Sequence, residues 1–238
     1  MKTILQCISF VNLLKVCVFQ FGLIGIFMVF MVFSVEATEK EALKSTDLIE
    51  KVEKTDWISL FDGKTMKGWK ASDFAGQGEV EIRDDSLHLG MGASLTGIST
   101  TRKDLPTTNY EVELKAMRVD GFDFFCALTF QVGKEPCSLI IGGWGGGVIG
   151  LSSIDGFDAS ENPTTSYRNF DEKKWYQIRL KVTDAKIEAW IDAEQVVDVT
   201  REGKKFSIRP EVDPSLPFGV ASYSTKAAIK DFRLRRLN

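Results

Sequence analysis

A single histidine, His88, in 238 residues leaves the chain unable to build a site from two or three imidazoles, which removes most catalytic zinc chemistry. Positive charge is not in surplus: 30 Lys and Arg stand against 33 Asp and Glu, for a net charge of -3. The chain therefore offers no basic field of the kind that nucleic-acid binding needs, and no nucleic-acid partner is expected. Disorder is excluded by composition, since 44% of the residues are hydrophobic and 11% aromatic. Cysteine is scarce as well: of four, only Cys126 and Cys137 lie beyond residue 37.

Those two thiols do not fit a disulfide. A hairpin of residues 124–132 and 138–141 around Gly133-Lys134-Glu135-Pro136 sets Cys137 nearly opposite Val132, with Cys126 about 20 Å further along at about 3.3 Å per residue. A disulfide spans about 6 Å between Cα atoms, so two reduced, buried thiols are expected. Without a neighbouring base, neither reads as a nucleophile.

What is present begins with an export segment over residues 1–37: Lys2 and Lys15, an uncharged apolar run over 16–35, then Val35-Glu36-Ala37 as a signal-peptidase site. The run is about 20 residues, enough to span a bilayer, so cleavage and retention as an anchor both remain open. Contact with a membrane is expected only through this segment, and the location is secreted or periplasmic. Cys7 and Cys17 lack the preceding residues of a lipoprotein signal. Residues 38–56 are half charged with mixed signs and read as a linker or loose helix.

From Trp57 the texture changes to short alternating stretches separated by Gly, Asp, Asn and Pro, the pattern of an all-β domain over 57–238. Strands are expected at 79–83, 86–90, 97–101, 110–119, 123–132, 137–142, 148–152, 175–183, 186–192, 195–199, 218–222 and 228–237. Tyr110, Val112, Leu114 and Ala116 alternate with Glu111, Glu113, Lys115 and Met117, giving one apolar and one mostly polar face. So many strands in so few residues imply a jelly-roll sandwich of two antiparallel sheets.

Several groups could carry chemistry. Glu79 and Glu81, and again Glu111 and Glu113, share strand faces at about 6.6 Å of rise; such pairs suit glycosidic cleavage, but alternating glutamates more simply mark a solvated sheet face. Asp123 sits among Phe122, Phe124 and Phe125, as a desolvated base or as a turn residue. Gly142-Gly143-Trp144-Gly145-Gly146-Gly147 lacks the Lys and Ser or Thr of a phosphate loop. Its glycines allow close approach and the Trp144 indole can stack on a sugar ring, or else Trp144 plugs a bulge into the core. Residues 155–168 offer Asp155, Asp158, Glu161, Asn162, Tyr167 and Arg168, a set that suits a polyol wall, a calcium site or a plain surface loop. Calcium is the one metal that the loop's oxygens would suit, and no cofactor is otherwise implied. His88 alternates with two leucines and faces away from the core.

The opening Trp57-Ile58-Ser59-Leu60-Phe61-Asp62-Gly63-Lys64-Thr65 with Gly68-Trp69 resembles the 3-keto-disaccharide hydrolase domain family, and similarity extends through residues 175–179, 187–192 and 229–235. The resemblance implies a concanavalin A-like sandwich that handles carbohydrate, with some relatives cleaving glycosides oxidised at carbon 3. A 3-ketone acidifies the hydrogen at carbon 2, so cleavage by elimination needs a base, an enolate stabiliser and an acid. The chain departs from the family's pattern at 123–126, 139–142 and 221–224, where family members carry Asn-Ser-Gly, a carboxylate and a histidine. Catalysis would then fall to Asp123, Asp155 and Asp158, with Trp144, Glu161, Asn162, Tyr167 and Arg168 binding substrate. The same surface without a base is a lectin-like module.

Overall fold

A computed structural model describes residues 57–237; the export segment and the charged linker expected before Trp57 lie outside the described residues. One antiparallel sheet is built from β1 (Ile58–Ser59), β3 (Val80–Arg83), β4 (Ser86–Leu89), β6 (Tyr110–Gly121), β11 (Trp175–Val182), β12 (Lys186–Ile191), β13 (Glu194–Thr200) and β15 (Thr225–Arg236). Its order is β13-β12-β11-β6-β15-β4-β3, with β1 added alongside β15. The other comprises β2 (Trp69–Ala71), β5 (Leu95–Thr100), β7 (Cys126–Val132), β8 (Glu135–Gly143), β9 (Val148–Ser152), β10 (Ser166–Tyr167) and β14 (Gly219–Tyr223), ordered β10-β9-β8-β7-β14-β5-β2.

The alternation read on β6 is the organising feature of the core. Tyr110, Val112, Leu114 and Ala116 are buried, and with Tyr176, Ile178, Leu180 and Val182 of β11 they pack on Cys126, Leu128, Phe130 and Val132 of β7. The opening motif is structural. Trp69 donates its indole N–H to the Leu60 carbonyl at 2.7 Å and stacks on Phe232 at 5.1 Å between centroids, tying the first turn to the closing strand. Asp62 accepts from the amides of Lys64 and Thr65 and from the Thr65 hydroxyl, which starts the turn at Gly63 and holds its carboxyl down at about 2.

Three corrections follow from the register. The β7–β8 hairpin turns through Gly133-Lys134 alone, because Val132 pairs Glu135; Cys137 therefore faces Phe130 and Cys126 faces Ile141. The cysteines are thus four residues apart along the ladder, about 13 Å, still beyond a disulfide, and both are free and buried. Second, β1, β2, β10 and a 3-10 turn at Pro210–Ser215 had no expectation, since segments this short show no period of their own and exist through distant partners. Third, the face with Glu111 and Glu113 is not simply solvated. Glu111 is 2% exposed, clamped between Arg179 at 3.3 Å and Arg235 at 2.6 Å, while Glu113 pairs with Arg233. Arginines from β11 and β15 flank β6 on both sides, and their stems and guanidinium planes seal the carboxylate from water.

Candidate functional site

The glycine-rich segment is the turn between β8 and β9, and it is held by a buried arginine. Arg118 continues the inward series of β6 as its single charged member, and its guanidinium donates to the carbonyls of Gly146 (2.8 Å), Asp123 (3.1 Å), Gly142 (3.3 Å) and Phe170 (3.3 Å). It also lies over the Phe125 ring, and burial lowers its pKa. Glycine is required here: a Cβ on Gly142 would sit 2.7 Å from the guanidinium, at φ +78°. Sequence reasoning passed over Arg118, although a cation two residues beyond Ala116 on an otherwise apolar face was a legible signal.

Asp123 closes the turn from the other side. Its Oδ1 accepts from the Phe124 amide at 2.8 Å and its Oδ2 from the Gly145 amide at 3.0 Å, while the Thr225 hydroxyl bonds its main chain. Trp144, between these fastened neighbours, adopts φ +47° and is 44% exposed, so it does not plug the core. Phe122 and Tyr223 are exposed nearby: the Phe122 carbonyl abuts Gly146, and Tyr223 packs on Phe124 with centroids 5.8 Å apart. Tyr167 of β10 pairs with Val148 at the foot of the turn, its ring exposed, and the Arg168 amide bonds the Gly147 carbonyl. Phe122, Trp144, Tyr167 and Tyr223 thus form an aromatic rim on one end of the sandwich.

The 155–168 loop is divided between this rim and the other end of β9. Arg168 stays near the rim, pairing with Asp192 at 3.2 Å and Glu194 at 3.7 Å over the Phe170 and Tyr176 rings. Asp158 takes the hydroxyls of Ser152 and Ser153 on Oδ1 and Arg209 at 2.7 Å on Oδ2. Val148 and Ser152 mark the two ends of β9, so four residues of rise, about 13 Å, separate the rim from the Asp158 end. Asp155 accepts from the Lys205 amide at 2.8 Å. Asn162 is consumed within its own loop, donating to the Leu151, Phe157 and Asp158 carbonyls and accepting from Thr164. Glu161 is exposed; its amide donates to the Asp158 carbonyl at 2.9 Å, and its carboxylate has no hydrogen bond or ion pair among the described residues. Among the described residues no group of three His, Cys, Asp or Glu side chains converges to hold a metal ion, and the Asp155 and Asp158 carboxylates considered for calcium are engaged by separate partners.

The outer face of the second sheet is roofed. Ladder register aligns Ser99, Gly219, Thr129, Ser138 and Ser152 in one row across it, and all are buried. Ala159 and Thr164 cover Gly150, Ser215 covers Gly219, and the Asp158–Arg209 pair joins the two covering segments. Roofing explains why β5, β8 and β9 are apolar or small on both faces instead of alternating. His88 lies on the outer face of the other sheet, as its spacing implied, with Nδ1 3.1 Å from Arg83; desolvation and Arg83 lower its pKa.

The arrangement presents rings and backbone groups on a fastened turn, and the buried Asp123 and half-buried Asp158 carboxylates act as fasteners. A base for proton abstraction needs an oxygen that reaches the substrate. Both oxygens of Asp123 are occupied by main-chain amides, and those of Asp158 by two hydroxyls and a guanidinium.

Similar architectures occur among solved structures. A candidate glycosyl hydrolase from Parabacteroides distasonis ATCC 8503 superimposes with a TM-score of 0.53 at 14% identity, covering 79% of this chain and 97% of that one. Domain 4 of AbnA, an extracellular arabinanase from Geobacillus stearothermophilus solved with arabinotriose, gives 0.50 at 14% identity over 76% of this chain and 91% of that one. A galectin-like protein of unknown function from Bacillus subtilis gives 0.51 at 13% identity, covering 76% and 94%. No curated protein matches the sequence. Residues 56–235 match the 3-keto-alpha-glucoside-1,2-lyase-like domain, and the chain belongs to that family.

Proposed function

We propose that this domain is a glycan-binding module of the cell exterior, and that its aromatic rim is the binding surface. One observation carries the reading: Trp144 is presented to solvent on a turn immobilised by Arg118 and Asp123, in a place where the core makes no use of it. An indole held in this way loses little freedom on stacking against a pyranose or furanose face, which is the condition for useful affinity from few contacts. Family membership supports a carbohydrate ligand, and so does the arabinotriose bound to a domain of similar fold. The apolar run over 16–35 supports delivery beyond the cytoplasmic membrane, either secreted or held there by its N-terminus.

The engaged state of Asp123 and Asp158 favours binding over cleavage of keto-glycosides. Titration calorimetry with trehalose, sucrose and arabinotriose, alongside product assays on 3-keto-trehalose and 3-keto-sucrose, tests both. The expected result is saturable binding that weakens at least about tenfold in Trp144→Ala, or about 1.4 kcal/mol, with no product formed. Turnover that disappears in Asp123→Asn or Asp158→Asn would replace the module with an enzyme.

A further inference from the structure

The opposite end of the sandwich carries a cleft of about 450 Å³ lined by Val132, Glu135, Ala185, Arg201, Lys204 and Phe206, among others. It lies at the far end of β7 from the rim, the length of a seven-residue strand or about 20 Å. Its size falls within the usual range of small-ligand sites, about 300–1,000 Å³.

Two of its charged groups are fixed by the backbone. The Glu135 carboxylate accepts from the Phe206 amide through Oε2 at 3.0 Å, leaving Oε1 without a hydrogen bond. The Arg201 guanidinium is pinned through Nη1 by the Thr183 carbonyl and the Thr108 hydroxyl, and its Nη2 lies against Gly133, where a Cβ would be 3.2 Å away. Although both line the same cleft, no ion pair within 4.0 Å joins them among the described residues; Arg201 Nη1 lies 3.8 Å from Asp184 Oδ1 instead, which leaves Nη2 for a ligand. Glu202 and Lys204 add a further carboxylate and a second cation at the walls, their side chains without partners among the described residues, while Asp184 is occupied by Thr108, Asn109 and Arg201.

A preorganised acceptor and a preorganised donor that share a cleft without meeting suit a ligand that bridges them. The bridge must donate to Glu135 and accept from Arg201. Neighbouring hydroxyls of a sugar do both without adding charge to walls that hold three carboxylates and two cations, and the apolar carbon face can rest on Val132, Ala185 and Phe206. We propose that this cleft is a second sugar subsite, specific for a neutral vicinal diol and separate from the aromatic rim. The proposal rests on the glycan-binding reading for its ligand class, but not on Trp144 for its geometry. Two subsites on opposite ends would let one chain bridge two glycan segments.

The test is calorimetric titration of the full chain with trehalose, sucrose and arabinotriose, comparing wild type with Glu135→Gln, Ala185→Phe and Trp144→Ala. Gln keeps an oxygen for the Phe206 amide while replacing the free acceptor by an amide donor, and Phe at the exposed position 185 occludes the cleft while keeping the main-chain carbonyl that accepts from the Arg201 amide. The expected result is two sugars per chain in wild type, one in each single variant, and none in Glu135→Gln with Trp144→Ala. Unchanged stoichiometry and affinity in both Glu135→Gln and Ala185→Phe, with all binding lost in Trp144→Ala, overturns the second subsite and leaves the rim standing. Binding lost in the two cleft variants but kept in Trp144→Ala overturns the rim and leaves the cleft. Absence of binding in wild type overturns both.

Discussion

The Asp123 carboxylate accepts a hydrogen bond from the Gly145 amide at 3.0 Å, so a side chain placed among three phenylalanines serves as the clasp of the Trp144 turn. Asp123 is 9% exposed, and its second oxygen is taken by the neighbouring Phe124 amide. Replacing it with Ala removes two part-buried hydrogen bonds to main-chain donors, worth about 0.5–1.5 kcal/mol each. Asp123→Ala is expected to lower the urea midpoint and weaken glycan binding together, with Asp123→Asn in between. A variant that unfolds normally but loses a chemical activity would show a base instead of a clasp.

Glu111 makes a separate prediction about stability. Its carboxylate is shared by Arg179 and Arg235 under nearly complete burial. Glu111→Ala is expected to cost about 2–4 kcal/mol in chemical unfolding, at or below the range for a fully buried pair because Arg179 remains 37% exposed. Glu81→Ala, which breaks the exposed pair with Arg83, should cost less than about 1 kcal/mol.

Acid sensitivity is expected at the opening turn. The Asp62 carboxyl, lowered to about 2 by the Thr65 hydroxyl and the Lys64 and Thr65 amides, binds its proton more weakly folded than unfolded. Its stabilisation is therefore complete above about pH 4 and is lost as pH falls through about 2. Thermal melts of wild type and Asp62→Asn between pH 6 and 2 should converge at the acid end. Parallel curves throughout would show that the turn holds without the charge.

The two thiols should be silent in the native protein. Burial pushes both Cys126 and Cys137 well above the usual thiol range, and each is fully enclosed. Alkylation at pH 8 followed by peptide mass spectrometry should label neither until denaturant is added. Rapid native labelling of either would contradict the packing of β7 against β8.

The two-sheet architecture was legible in residues such as Tyr110, Val112, Leu114 and Ala116, because strand alternation is local and a half-buried strand must repeat every second residue. Reduced thiols and the outward turn of His88 were legible for the same reason. The exposure of Trp144 was not, since a glycine-rich turn permits a buried or a presented ring equally, and only the clasp of Asp123 and the anchor of Arg118 decide it. The same holds for the 155–168 loop. Its polar residues read alike as ligands or fasteners in sequence, and the partners that settle the matter, Arg209, Lys205 and Asp192, arrive from strands and loops distant along the chain. Composition and period thus determine which faces are buried, because that depends on each residue's own solvation. What each carboxylate does depends on who meets it, and that is decided when the two sheets and their covering segments close.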